Sequence, residues 1–337
     1  MMKIGVIGCG YWGPNLIRNF NALDDVKVTA VCDFRKERLE FVSKQYPAIV
    51  MLTMEPDKIL RSPDIDAVVI STPVSTHFSL GMEALSNGKH LFIEKPLTAT
   101  TEQAQRLIEQ AEQKHLQLMV DHTFVYTGAV RTIKRLITSG ELGELYYFDS
   151  VRVNLGLFQH DVNVIWDLAP HDVSIMDYLL DRKPKAITAT GVAHFDKKIE
   201  NIAYISTYYD DNLLGHIHVN WLAPVKVRKT LISGSKKMII YDDMEPSEKV
   251  KIYDRGIDVV RDRDQIYDIL IQYRTGDMLA PNIDLTEALK KVSREFYNSI
   301  SENRPALTDG QAGLRVVRIL EAANKSMRMN GEVVELD

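Results

Sequence analysis

A short apolar run, Ile4 to Ile7, followed at once by Gly8, Gly10 and Gly13, narrows what this chain can fold into more than any other stretch. The spacing is G-x-G-x-x-G, and a helical pattern in Leu16, Ile17, Phe20 and Leu23 comes after it. Each glycine has its own reason. Gly8 permits a tight turn off a strand, and Gly10 lets backbone approach a pyrophosphate. Gly13 lets the next helix pack close, with its N-terminal N–H groups aimed at the phosphates. A second apolar run, Val28 to Cys32, ends at Asp33, 20 residues past Gly13, where a ribose-binding carboxylate belongs. Strand, glycine turn, helix, strand and acid in this order predict a bound dinucleotide, with Tyr11 and Trp12 of the loop among its contacts. Asp33 favours NAD because its carboxylate would repel a 2′-phosphate, and Arg35 nearby leaves NADP as the second choice.

The alternation of strand and helix continues, as a doubly wound parallel sheet requires. A helix from about Arg35 to Lys44 precedes a brief strand at Val50 to Leu52 and a short helix at Lys58 to Arg61. Ala67 to Ser71 reads as a strand covered on both faces. It runs into Thr72, Pro73 and His77, then a helix ending at Asn87-Gly88, a C-cap signal. His90 to Ile93 is the next strand, with Glu94-Lys95-Pro96 at its end; Gln117 to Asp121 closes the series before His122. Ligands of open α/β sheets lie at the carboxyl ends of the strands. That places Gly8 to Gly13, Asp33, Thr72, Pro73, Glu94, Lys95 and His122 along one rim, and all of these but His122, with Arg35 and His77, are the candidates for cofactor contact. A lysine fixed between Glu94 and Pro96 suits a proton donor or a charge beside a reacting oxygen; the plainer alternative is a strand-end lysine reaching solvent.

After about residue 122 the alternation stops. A helix at Gly128 to Thr138 is followed by strand-like runs at Leu145–Asn154, Lys185–Gly191, Ile202–Tyr209, Leu213–Trp221, Val227–Ser233 and Lys237–Tyr241. Asp210-Asp211-Asn212 reads as a hairpin turn. Two amphipathic helices, Leu285–Ile300 and Gln311–Met329, finish the chain. The reading is therefore an α/β chain of two domains: 1–122, a doubly wound parallel sheet, and 123–337, α+β with a large, mostly antiparallel open sheet. The exposed face of that sheet predicts self-association into a homo-dimer or homo-tetramer. Within the second half, Asp167 and His171 are four apart at the start of a helix, with Pro170 expected in its first turn. Such a pair can hold an imidazole's tautomer for proton transfer from a hydroxyl, or it can be an ordinary surface hydrogen bond.

The formal net charge of −5 carries no basic stripe of the kind nucleic acid requires. Two cysteines, Cys9 and Cys32, fit a reducing compartment. No signal peptide and no membrane-length apolar run is evident, so a cytoplasmic protein is expected. His216 and His218 share a strand face without a third ligand, and no metal is predicted.

The glycine loop, Asp33, Thr72-Pro73 with His77, Glu94-Lys95-Pro96 and Asp167-x-x-x-His171, in this order, together resemble the Gfo/Idh/MocA family (glucose–fructose oxidoreductase, inositol dehydrogenase and rhizopine catabolism proteins). The match extends to Thr308-Asp309-Gly310 and the Glu321-Ala322-Ala323-x-x-Ser326 helix. The resemblance implies an N-terminal Rossmann domain and a C-terminal domain whose open sheet mediates oligomers. It also implies NAD(P)-dependent oxidation or reduction of a sugar or cyclitol carbon, with Lys95, Asp167 and His171 as catalytic residues and often a cis bond at the Lys–Pro position. The phrases Tyr11 to Phe20 and Trp166 to Asp172 are similar to the branch acting on nucleotide-linked sugars, at C3. Thr123 to Gly128 departs from the R-F/Y-x-P element of many relatives. Tyr126, Arg152, Asn154, His160 and Asn163, flanking the catalytic pair, are the further candidates for substrate contact. A free-sugar or cyclitol dehydrogenase, and a non-catalytic NAD-binding sensor, are the rival readings.

Overall fold

The computed structural model describes residues 1–156, 159, 162–195, 199–261 and 269–336. The first half alternates as its sequence predicts: β1 (Met2–Ile7), α1 (Gly13–Asn21), β2 (Val26–Cys32), α2 (Lys36–Gln45), β3 (Met51–Thr53), α3 (Asp57–Leu60), β4 (Ala67–Ile70), α4 (Val74–Ser86), β5 (His90–Ile93), α5 (Thr101–Gln113) and β6 (Leu118–Val120). The second half contains α6 (Gly128–Thr138), β7 (Leu145–Leu155), α7 (Val164–Leu180), β8 (Ala186–Val192), β9 (Ile202–Tyr208), β10 (Leu214–Asn220), β11 (Leu222–Gly234), β12 (Met238–Asp242), β13 (Val250–Arg261) and β14 (Ile269–Leu279). Helices α8 (Ala288–Ser301) and α9 (Gly310–Arg328) and the short β15 (Val334–Glu335) complete it. No helix among the described residues is long and apolar enough to cross a membrane.

The chain folds as two compact units. One is Met1–Tyr126 with Thr286–Glu321; the other is Thr127–Leu285 with Ala322–Asp337. A division by sequence alone at 122/123 keeps all of 286–321 with the second half, whereas the contacts group it with the first. The reason is aromatic packing. Phe296 of α8 stands edge-on to Phe20 of α1 and Phe92 of β5, with centroids 6.0 and 5.5 Å away, and Phe20 meets Phe92 at 5.6 Å. Edge-to-face geometry of this kind adds to the burial of three large apolar rings.

The first unit is built on a parallel sheet in the order β3-β2-β1-β4-β5-β6. Its strands are apolar without alternation, because helices cover both faces: Ala67 to Ile70 are all buried, as are Ile4 to Ile7. The order reverses direction between β1 and β4, and the loops after those strands open on the same edge. The helix before β5 ends as the Asn87-Gly88 signal predicts, with Gly88 at φ +75° and the Lys89 amide bonded back to Ala84 O.

In the second unit a nine-stranded sheet runs β14-β13-β12-β11-β7-β10-β9-β8-β15. Every pairing is antiparallel except β7 with β10, which is parallel. Strands β13, β14 and β15 lengthen the sheet beyond the runs legible in the sequence. The β9–β10 hairpin turns through Asp211 and Asn212, both at φ +60°, the left-handed pair that matches the twist of the strands. Strand alternation buries Ala203, Ile205 and Thr207 on one face and leaves Tyr204 and Tyr208 exposed on the other.

Candidate functional site

In the first unit the carboxyl ends of the strands enclose a cavity of 730 Å³. Gly8, Gly10, Tyr11, Trp12, Asp33, Arg35, Thr72, Pro73, Glu94 and Lys95, all expected at a cofactor, line it. Its floor is formed where side chains cannot fit. A Cβ on Gly8 would lie 2.3 Å from Ser71 O, at a φ of +95°, and a Cβ on Gly13 would lie 2.3 Å from Gly8 O. Gly13 itself contributes by letting α1 sit against the turn. No side chain caps α1 and its first turn carries no acid, so the positive end of the helix faces the turn without a competing carboxylate, while the Asn15 and Leu16 amides bond back to Trp12 O. This cradle, in a cavity of that size, fits the pyrophosphate and flanking groups of a dinucleotide.

Asp33 is 8% exposed and already does structural work. Its Oδ2 accepts from the Cys9 amide at 2.8 Å, tying the acid to the glycine turn, and its Oδ1 accepts from the Arg35 amide at 2.9 Å. The Arg35 guanidinium pairs with the same Oδ1 at 3.4 Å while remaining largely exposed. A 2′-phosphate would therefore meet a carboxylate whose neighbouring cation is partly committed to it. The Cys9 and Cys32 thiols are pushed up to about 11, chiefly by burial and next by Asp33, which rules them out as thiolate nucleophiles near neutral pH.

His77 takes a role beneath the cavity rather than in its wall. It is 1% exposed, with Nδ1 2.9 Å from Pro96 O and Nε2 2.9 Å from Thr72 O. The ring thus clamps the turn after β4 to the turn after β5, where the Lys95–Pro96 bond is cis. Burial lowers its pKa, against the pull of the two carbonyls, and a neutral ring donates to only one of them. Lys95 follows directly, half-buried at the end of β5.

Sequence reasoning left two neighbours of Lys95 without a role. Asp121, 2% exposed, accepts from Trp12 Nε1 at 3.1 Å and from Thr123 Oγ1 at 2.5 Å. His122 is 1% exposed with no hydrogen-bond partner at either ring nitrogen. Burial, then Lys95 and Arg315, push its pKa down to about 3. The only signal in the sequence was their position at the end of the last strand of the sheet.

The second unit carries the other half of the expected chemistry on α7. Asn163 caps that helix: its Oδ1 accepts from the Trp166 amide at 3.3 Å, and its Nδ2 donates to Glu200 and Asn324, each at 2.9 Å. Asp167 Oδ2 accepts from Trp221 Nε1 at 3.0 Å, and half-buried His171 lies one turn further on. Because α7 begins at Val164, Pro170 falls inside the helix and not in its first turn, correcting the sequence expectation. It has no N–H to offer Trp166 O, so that carbonyl, beside Asp167, lacks its regular helical donor.

Asp172, next to His171, fixes how α7 sits on β7. Its carboxylate receives Arg152 Nε at 2.5 Å, Arg152 Nη2 at 3.3 Å and Ser150 Oγ at 2.7 Å, and both ionic groups are under 5% exposed. Arg152 is thus a buried anchor of the helix that bears His171. Tyr126 is likewise buried, its hydroxyl 3.1 Å from Thr308 Oγ1 in the first unit. Asn154 is half-buried near the end of β7. His160 lies outside the described residues.

The parallel sheet, glycine cradle and acidic end of β2 define a dinucleotide-binding protein of the doubly wound class. Residues 2–122 match the family described as oxidoreductase family, NAD-binding Rossmann fold, and residues 130–240 match the GFO/IDH/MocA C-terminal domain. The chain belongs to the Gfo/Idh/MocA family and is an NAD-binding oxidoreductase. Among curated proteins it is 28% identical over 324 residues to a UDP-N-acetylglucosamine 3-dehydrogenase of Acidithiobacillus ferrooxidans, covering 94% of each chain. It is 25% identical to an NADP-dependent scyllo-inositol 2-dehydrogenase of Bacillus subtilis, covering 97% of this chain and 94% of that one. Of solved structures, the Acidithiobacillus enzyme superposes with a TM-score of 0.81 at 24% identity, covering 97% and 98% of the two chains. A levoglucosan dehydrogenase in complex with NADH superposes with a TM-score of 0.84 at 17% identity, covering 100% and 99%. At these identities the superpositions speak for the fold.

Proposed function

We propose that the protein transfers a hydride between nicotinamide and a secondary alcohol carbon of a sugar, namely C3 of a nucleotide-linked sugar. The observation that carries this reading is Lys95: just past the end of β5, an ammonium-bearing residue lines the cofactor cavity. Similarity over nearly the whole length to a UDP-N-acetylglucosamine 3-dehydrogenase supports the choice of sugar. The NADP-dependent inositol relative supports a cyclitol or free sugar as the second reading.

Bound NAD would lie along Gly8 to Gly13, Asp33 and Thr72-Pro73, and would supply the hydride acceptor. The chain's own residues do the rest. Oxidising an alcohol requires a base for the hydroxyl proton and a positive group for the charge that develops on oxygen. His171 accepts the proton, directly or through water. Lys95 donates a hydrogen bond to the same oxygen. Asp167, already oriented by the Trp221 indole, holds His171 in its working tautomer. Asp172 and Arg152 keep α7 from rotating on the sheet. In reduction the same groups return the proton.

Purified protein tested for NADH formation with UDP-sugars, inositols and free hexoses separates the readings. Turnover confined to UDP-sugars supports the proposal, and turnover confined to inositols or hexoses selects the second reading. Tight NADH binding with flat traces in both directions would favour a non-catalytic NAD-binding sensor.

A further inference from the structure

The first unit contains a pair of carboxyl groups that the hydride-transfer scheme does not use. Strands β5 and β6 lie side by side with Ile93 opposite Val120, and the Asp121 amide donates to Ile93 O at 2.8 Å. Glu94 and Asp121 therefore leave the sheet together. Glu94 Oε2 accepts from the Lys95 amide at 3.1 Å, while Oε1 is shut off from solvent and has no donor. Asp121 is the better served with donors, because it receives the Trp12 indole N–H and the Thr123 hydroxyl.

We propose that Asp121 is a positioning residue of the cofactor site: it shares a single proton with Glu94, and through the Trp12 indole it holds the glycine turn to the strand end that carries Lys95. Two carboxylates brought together away from water cannot both keep their charge. A proton on Glu94 Oε1 gives that orphaned oxygen a bond to make and leaves the pair with one negative charge instead of two. Burial, and then Asp121, raise the Glu94 carboxyl well above the ordinary carboxylate range, with Lys95 opposing. The other titratable groups described around the pair are His122, kept neutral by burial, Lys95 and Arg315, and His77 below Lys95. None of them replaces the missing donor at Glu94. Both Glu94 and Trp12 line the cavity, so the shared proton governs the charge and shape met by the cofactor. The inference rests on the NAD site alone and stands whichever alcohol is oxidised.

Infrared spectroscopy and NADH binding test it on the intact protein. The wild type should show a protonated-carboxyl band at about pH 8, where ordinary carboxyls are ionised. That band should vanish in Glu94→Gln, and also in Asp121→Asn, whose amide donates to Glu94 and leaves it ionised. As pH rises and the band is lost, wild-type NADH affinity should fall about tenfold at the same pH, from one added negative charge beside the dinucleotide. Asp121→Asn should show no such fall, because its pair stays at one charge throughout. Absence of the band in the wild type overturns the proposal, and this needs no variant to fold. A band that persists in Asp121→Asn also overturns it, since Glu94 would then be protonated by burial alone. So does an affinity profile that is identical in wild type and Asp121→Asn.

Discussion

Replacing Asp33 with alanine should weaken NADH far more than NADPH. In the wild type the carboxylate is 8% exposed, accepts the Cys9 amide and faces the cavity where the adenosine ribose hydroxyls belong. A hydrogen bond to a charged group contributes about 1.5–3 kcal/mol, so its loss weakens NADH by roughly 10- to 100-fold. NADPH loses ribose contact too, but it also escapes repulsion. Two unit charges about 5 Å apart at an effective dielectric of about 20 repel by about 3 kcal/mol, and solvent at the cavity mouth screens part of that. Arg35 is released at the same time, since its Oδ1 partner has gone. The orphaned Cys9 amide affects both cofactors alike. The ratio of NADH to NADPH affinity should therefore fall by at least about tenfold, read by nicotinamide fluorescence titration at fixed salt. Equal weakening of the two cofactors would refute the argument and reduce Asp33 to a brace for the glycine turn.

Other predictions test the catalytic half and the scaffold. Lys95→Ala and His171→Ala should each lower kcat by about 10²- to 10⁴-fold with NADH affinity within a few-fold of wild type, by steady-state kinetics and titration; unchanged turnover would sink either assignment. Asp172→Ala leaves the Arg152 guanidinium buried without its carboxylate, which should destabilise the second unit by about 3–5 kcal/mol in a denaturant titration. For His122, a folded-state value near 3 against 6.5 means the unfolded chain takes up the proton first as pH falls. Its contribution is therefore whole above pH 6.5 and is lost toward pH 3, by about 2 kcal/mol at pH 5. His122→Phe should flatten the acid limb of thermal stability by that amount. The exposed face bearing Tyr204, Tyr208 and Leu214 should bury itself against a second copy, so Tyr204→Glu with Tyr208→Glu should lower the mass measured by light scattering.

Legibility in the sequence followed the range of the forces involved. The parallel sheet, the glycine turn and Asp33 were readable because strand period, turn chemistry and helix start are written within about 20 consecutive residues. The Asp211-Asn212 turn was readable for the same reason. The grouping of α8 with the first unit was not, because Phe296 is far in sequence from Phe20 and Phe92. Arg152 and Asn163 are candidates for substrate contact from their place beside the catalytic pair, and the sequence does not show that Arg152 pairs with Asp172 or that Asn163 caps α7. An arginine destined for a buried carboxylate and one destined for a ligand have the same local sequence. Pro170 misled in a different way: proline near an apolar run reads as a helix start, and here Asn163 starts the helix earlier. Asp121 and His122 had no pattern to betray them, since what sets them apart is the neighbour each has or lacks once β5 and β6 lie side by side.

The central claim is tested most directly by following one hydrogen. With NAD and a UDP-sugar deuterated at C3, the account predicts NADH carrying deuterium at the nicotinamide C4, together with a slowed turnover that Lys95→Ala lowers further by about 10²- to 10⁴-fold. Deuterium kept on the sugar, or NADH formed without label, would contradict transfer from that carbon.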